Sequence, residues 1–177
     1  MPPSQDKEKW TTVKIGKLLA NDCIKAASES FEEISFLQSS FPDTNKSILF
    51  KEWIFFNMFA MFQGILAYFE EEQVGFRILD QFHHCCNEIF VEKGLFDKAS
   101  TLNGVPLNRY NIYTNALKKD EKPGPIWWLA KNFCQICSEK KGIDCATIYG
   151  ISYYWTETAI GNKTFISELL ESIRIVD

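Results

Sequence analysis

Between Pro42 and Pro106 the chain carries no proline, and inside that stretch the residues from Ile48 to Phe69 are apolar almost without interruption. Ile48, Leu49, Phe50, Trp53, Ile54, Phe55, Phe56, Met58, Phe59, Met61, Phe62, Ile65, Leu66, Tyr68 and Phe69 cover every side of a helix drawn over about 47–71. A helix that is apolar all round must be enclosed, at the centre of a bundle or in an interface. The run therefore predicts an all-α fold, a single-domain bundle of six or seven helices built around this one. Lys51 and Glu52 stand near its start, its uncharged part from Trp53 to Phe69 is 17 residues long, and Asn57 and Gln63 lie within it. Enclosure by protein is expected, not passage through the roughly 30 Å of a bilayer core.

With 177 residues, 46% of them hydrophobic, the chain can bury such a helix as one domain over residues 1–177 without metals or disulfides. Leu19, Ala20, Cys23, Ala27, Ile34 and Leu37 recur near a helical period and predict a first helix from about Thr11 to Ser39. Phe41-Pro42 ends it, and Asp43, Thr44 or Ser47 is placed to cap the central helix. Gly75, Ile78, Leu79, Phe82, Cys85, Cys86, Ile89 and Phe90 form the clearest stripe, on a third helix stopped by Gly94. Residues 95–124 are an irregular segment or lid: a turn at Asn103-Gly104 and Pro106, a short helix near Leu107–Leu117, then a polar loop to Gly124. Pro125 opens a helix to Lys140, Asp144 caps another to about Ile160, Gly161-Asn162 breaks it, and Thr164 caps a last one. No segment shows the alternation of a half-buried strand.

Nineteen basic against 23 acidic residues give a net charge of −4, with no dense run of Lys or Arg, which argues against nucleic acid as a partner. The polar stretch Met1–Trp10 does not read as a secretory signal, so a cytoplasmic protein is expected, with its six cysteines as thiols.

His83-His84-Cys85-Cys86 invites a metal reading, but an advance of about 100° per residue puts Cys85 and Cys86 in the apolar stripe and His84 roughly opposite. What survives is Asp80, His84 and Glu88 at i, i+4 and i+8, able to share a divalent ion with ligands from elsewhere. His83 among phenylalanines is the corresponding haem alternative, although neither cofactor is favoured. Cys134 and Cys137 lack the second cysteine pair of a zinc site and read, with Cys23 and Cys145, as small core residues. No motif assigns a reaction, so binding is expected in preference to catalysis.

Thirteen of fifteen phenylalanines lie between Phe31 and Phe96. On one side of the central helix Glu52, Phe56, Phe59, Gln63 and Glu70 mix large rings with groups that resist burial, and such polar groups require partners. Glu52, Phe56, Phe59 and Gln63, with Arg109 and Tyr113 from the lid, are the candidate binding residues for an apolar small molecule or a partner helix. Trp128 and Tyr154 fall opposite the stripes of their helices and are the candidate partner contacts of a protein that is expected to form a homodimer.

Overall fold

The computed structural model describes residues 7–70, 72–95, 104–138 and 142–176. Seven helices occur among them: α1 Thr12–Glu33, α2 Ser35–Ser40, α3 Lys46–Phe69, α4 Gln73–Glu92, α5 Val105–Leu117, α6 Pro125–Cys137 and α7 Cys145–Ser172. They share one hydrophobic core, and α3 runs through it in contact with α1, α4, α5, α6 and α7. The expected all-α bundle around a central apolar helix is present. Trp53, Phe55, Phe56 and Phe59 are completely enclosed, each contributing about 1.5–3 kcal/mol by burial. Only the ends of α3 escape, where Ile48 and Tyr68 reach solvent. No helix of the described residues is long and apolar enough to cross a membrane.

Local chemistry explains most helix ends. Asn45, not the neighbours expected, caps α3 by accepting from the Ser47 amide at 2.8 Å, while Thr44 donates its hydroxyl proton to the Cys137 carbonyl. Gly94 closes α4 as expected: at φ +66° it lets the Leu95 amide reach the Phe90 carbonyl at 2.9 Å and its own amide reach Val91 at 3.0 Å. Asp144 caps α7 through the Thr147 amide at 2.8 Å.

Three expectations are corrected. The single helix over 11–39 breaks at Ile34 (ψ +80°), because in a straight helix Leu37 would point well away from the face that buries Ala27 and Phe31; the break turns Leu37 into the core, against α7. Gly161-Asn162 does not end a helix: α7 runs on through both to Ser172. Beyond them Ile166 packs into α3 at Gly64, where an added Cβ would lie 2.9 Å from Ile166 Cδ1, and this burial outweighs the roughly 1 kcal/mol that glycine costs inside a helix. Finally, two short strands exist. β1 Glu8–Trp10 pairs in parallel with β2 Ile173–Ile175, Glu8 opposite Ile173 and Trp10 opposite Ile175. Three residues are too few for alternation to be visible in the sequence, and the pairing is set by where α7 delivers its last turn.

Candidate functional site

Glu52 sits one turn before Phe56 on α3, 7% exposed. Its partner comes from α5: Arg109 donates from Nε to Oε2 and from Nη2 to Oε1, both at 2.6 Å. The two-pronged pair locks α5 across α3. Next to it Tyr113 lays its ring against Phe56 and Phe59, centroids 5.4 and 5.3 Å apart, and Tyr110 meets Phe59 at 5.5 Å. Thus Glu52, Phe56, Phe59, Arg109 and Tyr113, candidates separated by up to 61 positions, form one layer between α3 and α5. Phe56, Phe59 and Tyr113 have no exposed surface, so side chains fill the layer itself. Gln63 is half-buried further along α3, and Glu70 is exposed in the left-handed C-cap at φ +44°.

The open space lies one turn beyond this layer. A cleft of about 330 Å³ is walled by Phe62 of α3, His83 and Asn87 of α4, and Gly104, Pro106, Leu107, Tyr110, Asn111 and Thr114 at the start and along one face of α5. Phe62 and Tyr110 meet as a tilted pair at 4.9 Å, and the His83 ring lies 5.5 Å from Tyr110 and 6.3 Å from Phe62. His83 Nε2 is 3.1 Å from the Tyr110 hydroxyl. Burial holds the His83 pKa below its ordinary 6.5, against a hydrogen bond to the Leu79 backbone and the charge of Asp80. Burial likewise raises the Tyr110 pKa well above its usual value of 10. Burial thus favours the uncharged form of both rings, and the His83–Tyr110 hydrogen bond joins two neutral groups. Asn87, Asn111 and Thr114, in contrast, have no side-chain hydrogen-bond partner among the described residues, and no wall residue is Asp, Glu, Lys or Arg.

The remaining candidates are scattered. Asp80, His84 and Glu88 are exposed on the far face of α4, with His84 Nε2 3.4 Å from Glu88 Oε1. No group of three or more His, Cys, Asp or Glu side chains among the described residues is arranged to hold a metal ion. Tyr154 is not turned outward: its ring lies tilted against Trp53 at 4.4 Å, and its hydroxyl lies 2.8 Å from Ser30 Oγ and 3.0 Å from Asn57 Oδ1. It thereby completes the partners of Asn57, whose amide donates to the Trp53 carbonyl at 2.9 Å. Trp128 is half-buried beneath the α5–α6 loop, its indole donating to the Glu121 carbonyl at 3.3 Å. Cys23, Cys85, Cys86, Cys134 and Cys137 are buried, and burial pushes the Cys134 thiol up to about 12. Cys145, expected in the core, is exposed in the first turn of α7.

Sequence reasoning missed Phe62, Asn87, Leu107, Asn111 and Thr114 as cleft residues. A signal existed in α5, where Leu107, Tyr110, Asn111 and Thr114 recur at i, i+3, i+4 and i+7. That α4 supplies the opposite wall is a tertiary fact. No family model, curated protein or solved structure matches the chain.

Proposed function

We propose that this protein is a binding module and that its cleft between α3, α4 and α5 holds a neutral, mostly apolar small molecule carrying a carbonyl, hydroxyl or amide group. The observation that carries this reading is the cleft's composition: aromatic and aliphatic walls with three unpartnered polar side chains among the described residues, Asn87, Asn111 and Thr114. A largely apolar pocket with a few polar fixing groups is the ordinary form of a small-molecule site, and about 330 Å³ falls at the lower end of the usual size range. An uncharged lining, with His83 held neutral, disfavours an ionic ligand, which would lose its hydration without gaining a counter-charge. Catalysis is not part of the reading: Tyr110 and His83 face each other at 3.1 Å, and burial favours the neutral form of each.

The test is titration with N-phenyl-1-naphthylamine, an uncharged fluorescent probe. Saturable one-to-one binding is expected, abolished by Leu107→Trp, which fills the cleft from an exposed position without disturbing the core. Binding that survives this substitution unchanged would sink the proposal.

A further inference from the structure

A second surface shares no residue with the cleft. Where α6 lies beside α7, the Trp127 ring meets Tyr149 edge-on, centroids 5.0 Å apart. Tyr149 and Tyr153 stand one turn apart on α7 and are 64% and 69% exposed, the two most exposed aromatic rings among the described residues. On the other side of Trp127, Lys131 follows one helical turn later and holds its Nζ 4.8 Å from the centre of the Trp128 ring. Lys119, from the α5–α6 loop, places its Nζ 4.3 Å from the same centre. The result is a continuous band, Tyr153, Tyr149, Trp127, Lys131, Trp128 and Lys119, across α7, α6 and the loop.

The charge of this band runs against that of the chain. The net charge is −4, yet neither ammonium has a carboxylate within ion-pair distance among the described residues, Asp120 and Glu121 of the same loop included. Both ammonium groups lie within 5 Å of one ring centre, so a single acidic segment reaches both. Trp128 is held in place by its bond to the Glu121 carbonyl, which fixes where the two charges sit. Tyrosine and tryptophan supply large contact area at low entropic cost, and unpaired lysines beside them select for carboxylates. Two lysines supply too few phosphate contacts to hold a nucleic acid against an overall negative charge.

We propose that this band docks a peptide segment of another protein in which one or two carboxylates adjoin an aromatic or large aliphatic side chain. The carboxylates meet Lys119 and Lys131, and the apolar side chain lies on the rings of Trp127, Tyr149 and Tyr153.

The experiment is selection of a random displayed-peptide library on the full chain, followed by fluorescence anisotropy with the enriched peptides. The expected peptides carry Asp or Glu beside Phe, Trp, Tyr or Leu. Their affinity is expected to fall about tenfold or more with Tyr149→Ala plus Tyr153→Ala, and again with Lys119→Glu plus Lys131→Glu, but not with the cleft substitution Leu107→Trp. All four band positions of these variants are surface groups, and circular dichroism checks that the fold is kept. Enriched peptides without acidic residues, or binding indifferent to both double substitutions, would overturn the proposal. So would phosphatidylserine vesicles that bind the wild-type chain and not the variants, which makes the band a membrane contact. A shift of sedimentation from dimer to monomer on the tyrosine substitutions would overturn it as well, since the band would then be a contact between copies of this chain.

Discussion

Arg109 and Glu52, 57 positions apart, face each other as a two-pronged ion pair at 2.6 Å, and this pair fixes the cleft-forming helix α5 to the buried second turn of α3. Removing one partner is costly for an asymmetric reason. Arg109 is partly exposed and can return to water, whereas Glu52 is enclosed and cannot. Arg109→Ala is therefore expected to destabilise the fold by about 3 kcal/mol, and Glu52→Gln, which keeps an acceptor, by about 1 kcal/mol. The double variant should cost less than the two effects added. Urea unfolding of all four proteins measures this, and strict additivity would show that the pair contributes no coupling.

Two glycines that look alike in sequence should respond in opposite directions. Gly16 lets α1 and α4 touch: an added Cβ would lie 2.5 Å from Gln81 Cβ and 2.8 Å from the Phe82 backbone nitrogen. Gly16→Ala must push apart the most extensive helix pair in the bundle, and a loss of roughly 1–3 kcal/mol is expected. Gly161 has nothing within 4 Å of its would-be Cβ and lies in the middle of α7. Gly161→Ala should raise stability by about 0.5–1 kcal/mol, because alanine is the better helix former. Thermal unfolding of the two variants checks both signs.

Thiol labelling should single out one cysteine. Cys145 is exposed, while Cys23, Cys86, Cys134 and Cys137 are buried with burial holding each thiol protonated, Cys134 up to about 12. Cys85 is buried as well, with its thiol also raised. A thiol reagent at pH 8 is expected to modify one group quickly in the native protein and six in urea, the fast phase vanishing in Cys145→Ser. Rapid reaction at several sites in native buffer would contradict the enclosed core.

Stability should fall as the pH drops through about 6.5. Burial lowers the His83 pKa in the folded chain, whereas the unfolded histidine titrates near its ordinary 6.5. As the pH falls past that value the unfolded state takes up the proton more readily than the folded state, so the unfolding free energy decreases toward acid. Glu8, held low by Lys14, and Asp144, held low by Thr147, lose their contribution only on descent through the carboxylate range, which leaves this earlier fall to the histidine. His83→Gln keeps an acceptor for Tyr110 but does not titrate, and it should flatten the slope. Chemical denaturation at half-unit pH steps, compared with the wild-type chain, checks this.

Much of the candidate site was legible because burying a charge demands compensation. Glu52 among phenylalanines calls for a partner, and Arg109 and Tyr113, on the short helix expected within the lid, both come to that layer. The opening was displaced from the expected position, since Phe56, Phe59 and Tyr113 fill their own space and the cleft forms further along, between Phe62, His83 and the outer face of α5. Tyr154 was misread because Asn57 and Ser30, on two other helices, draw its hydroxyl inward, and a helical wheel of α7 contains neither.

What the sequence alone determined was local and periodic. A run free of proline and apolar on every side had to be an enclosed helix, the stripe from Gly75 to Phe90 had to face inward, and Gly94 had to stop it, because each depends on residues within a few turns of one another. The tertiary structure alone decided that α7 continues through Gly161, that Glu8–Trp10 pairs with Ile173–Ile175, and that Phe62, His83 and Leu107 wall one cleft. In each of these the free energy comes from contacts between groups far apart along the chain, and no local preference carries that information.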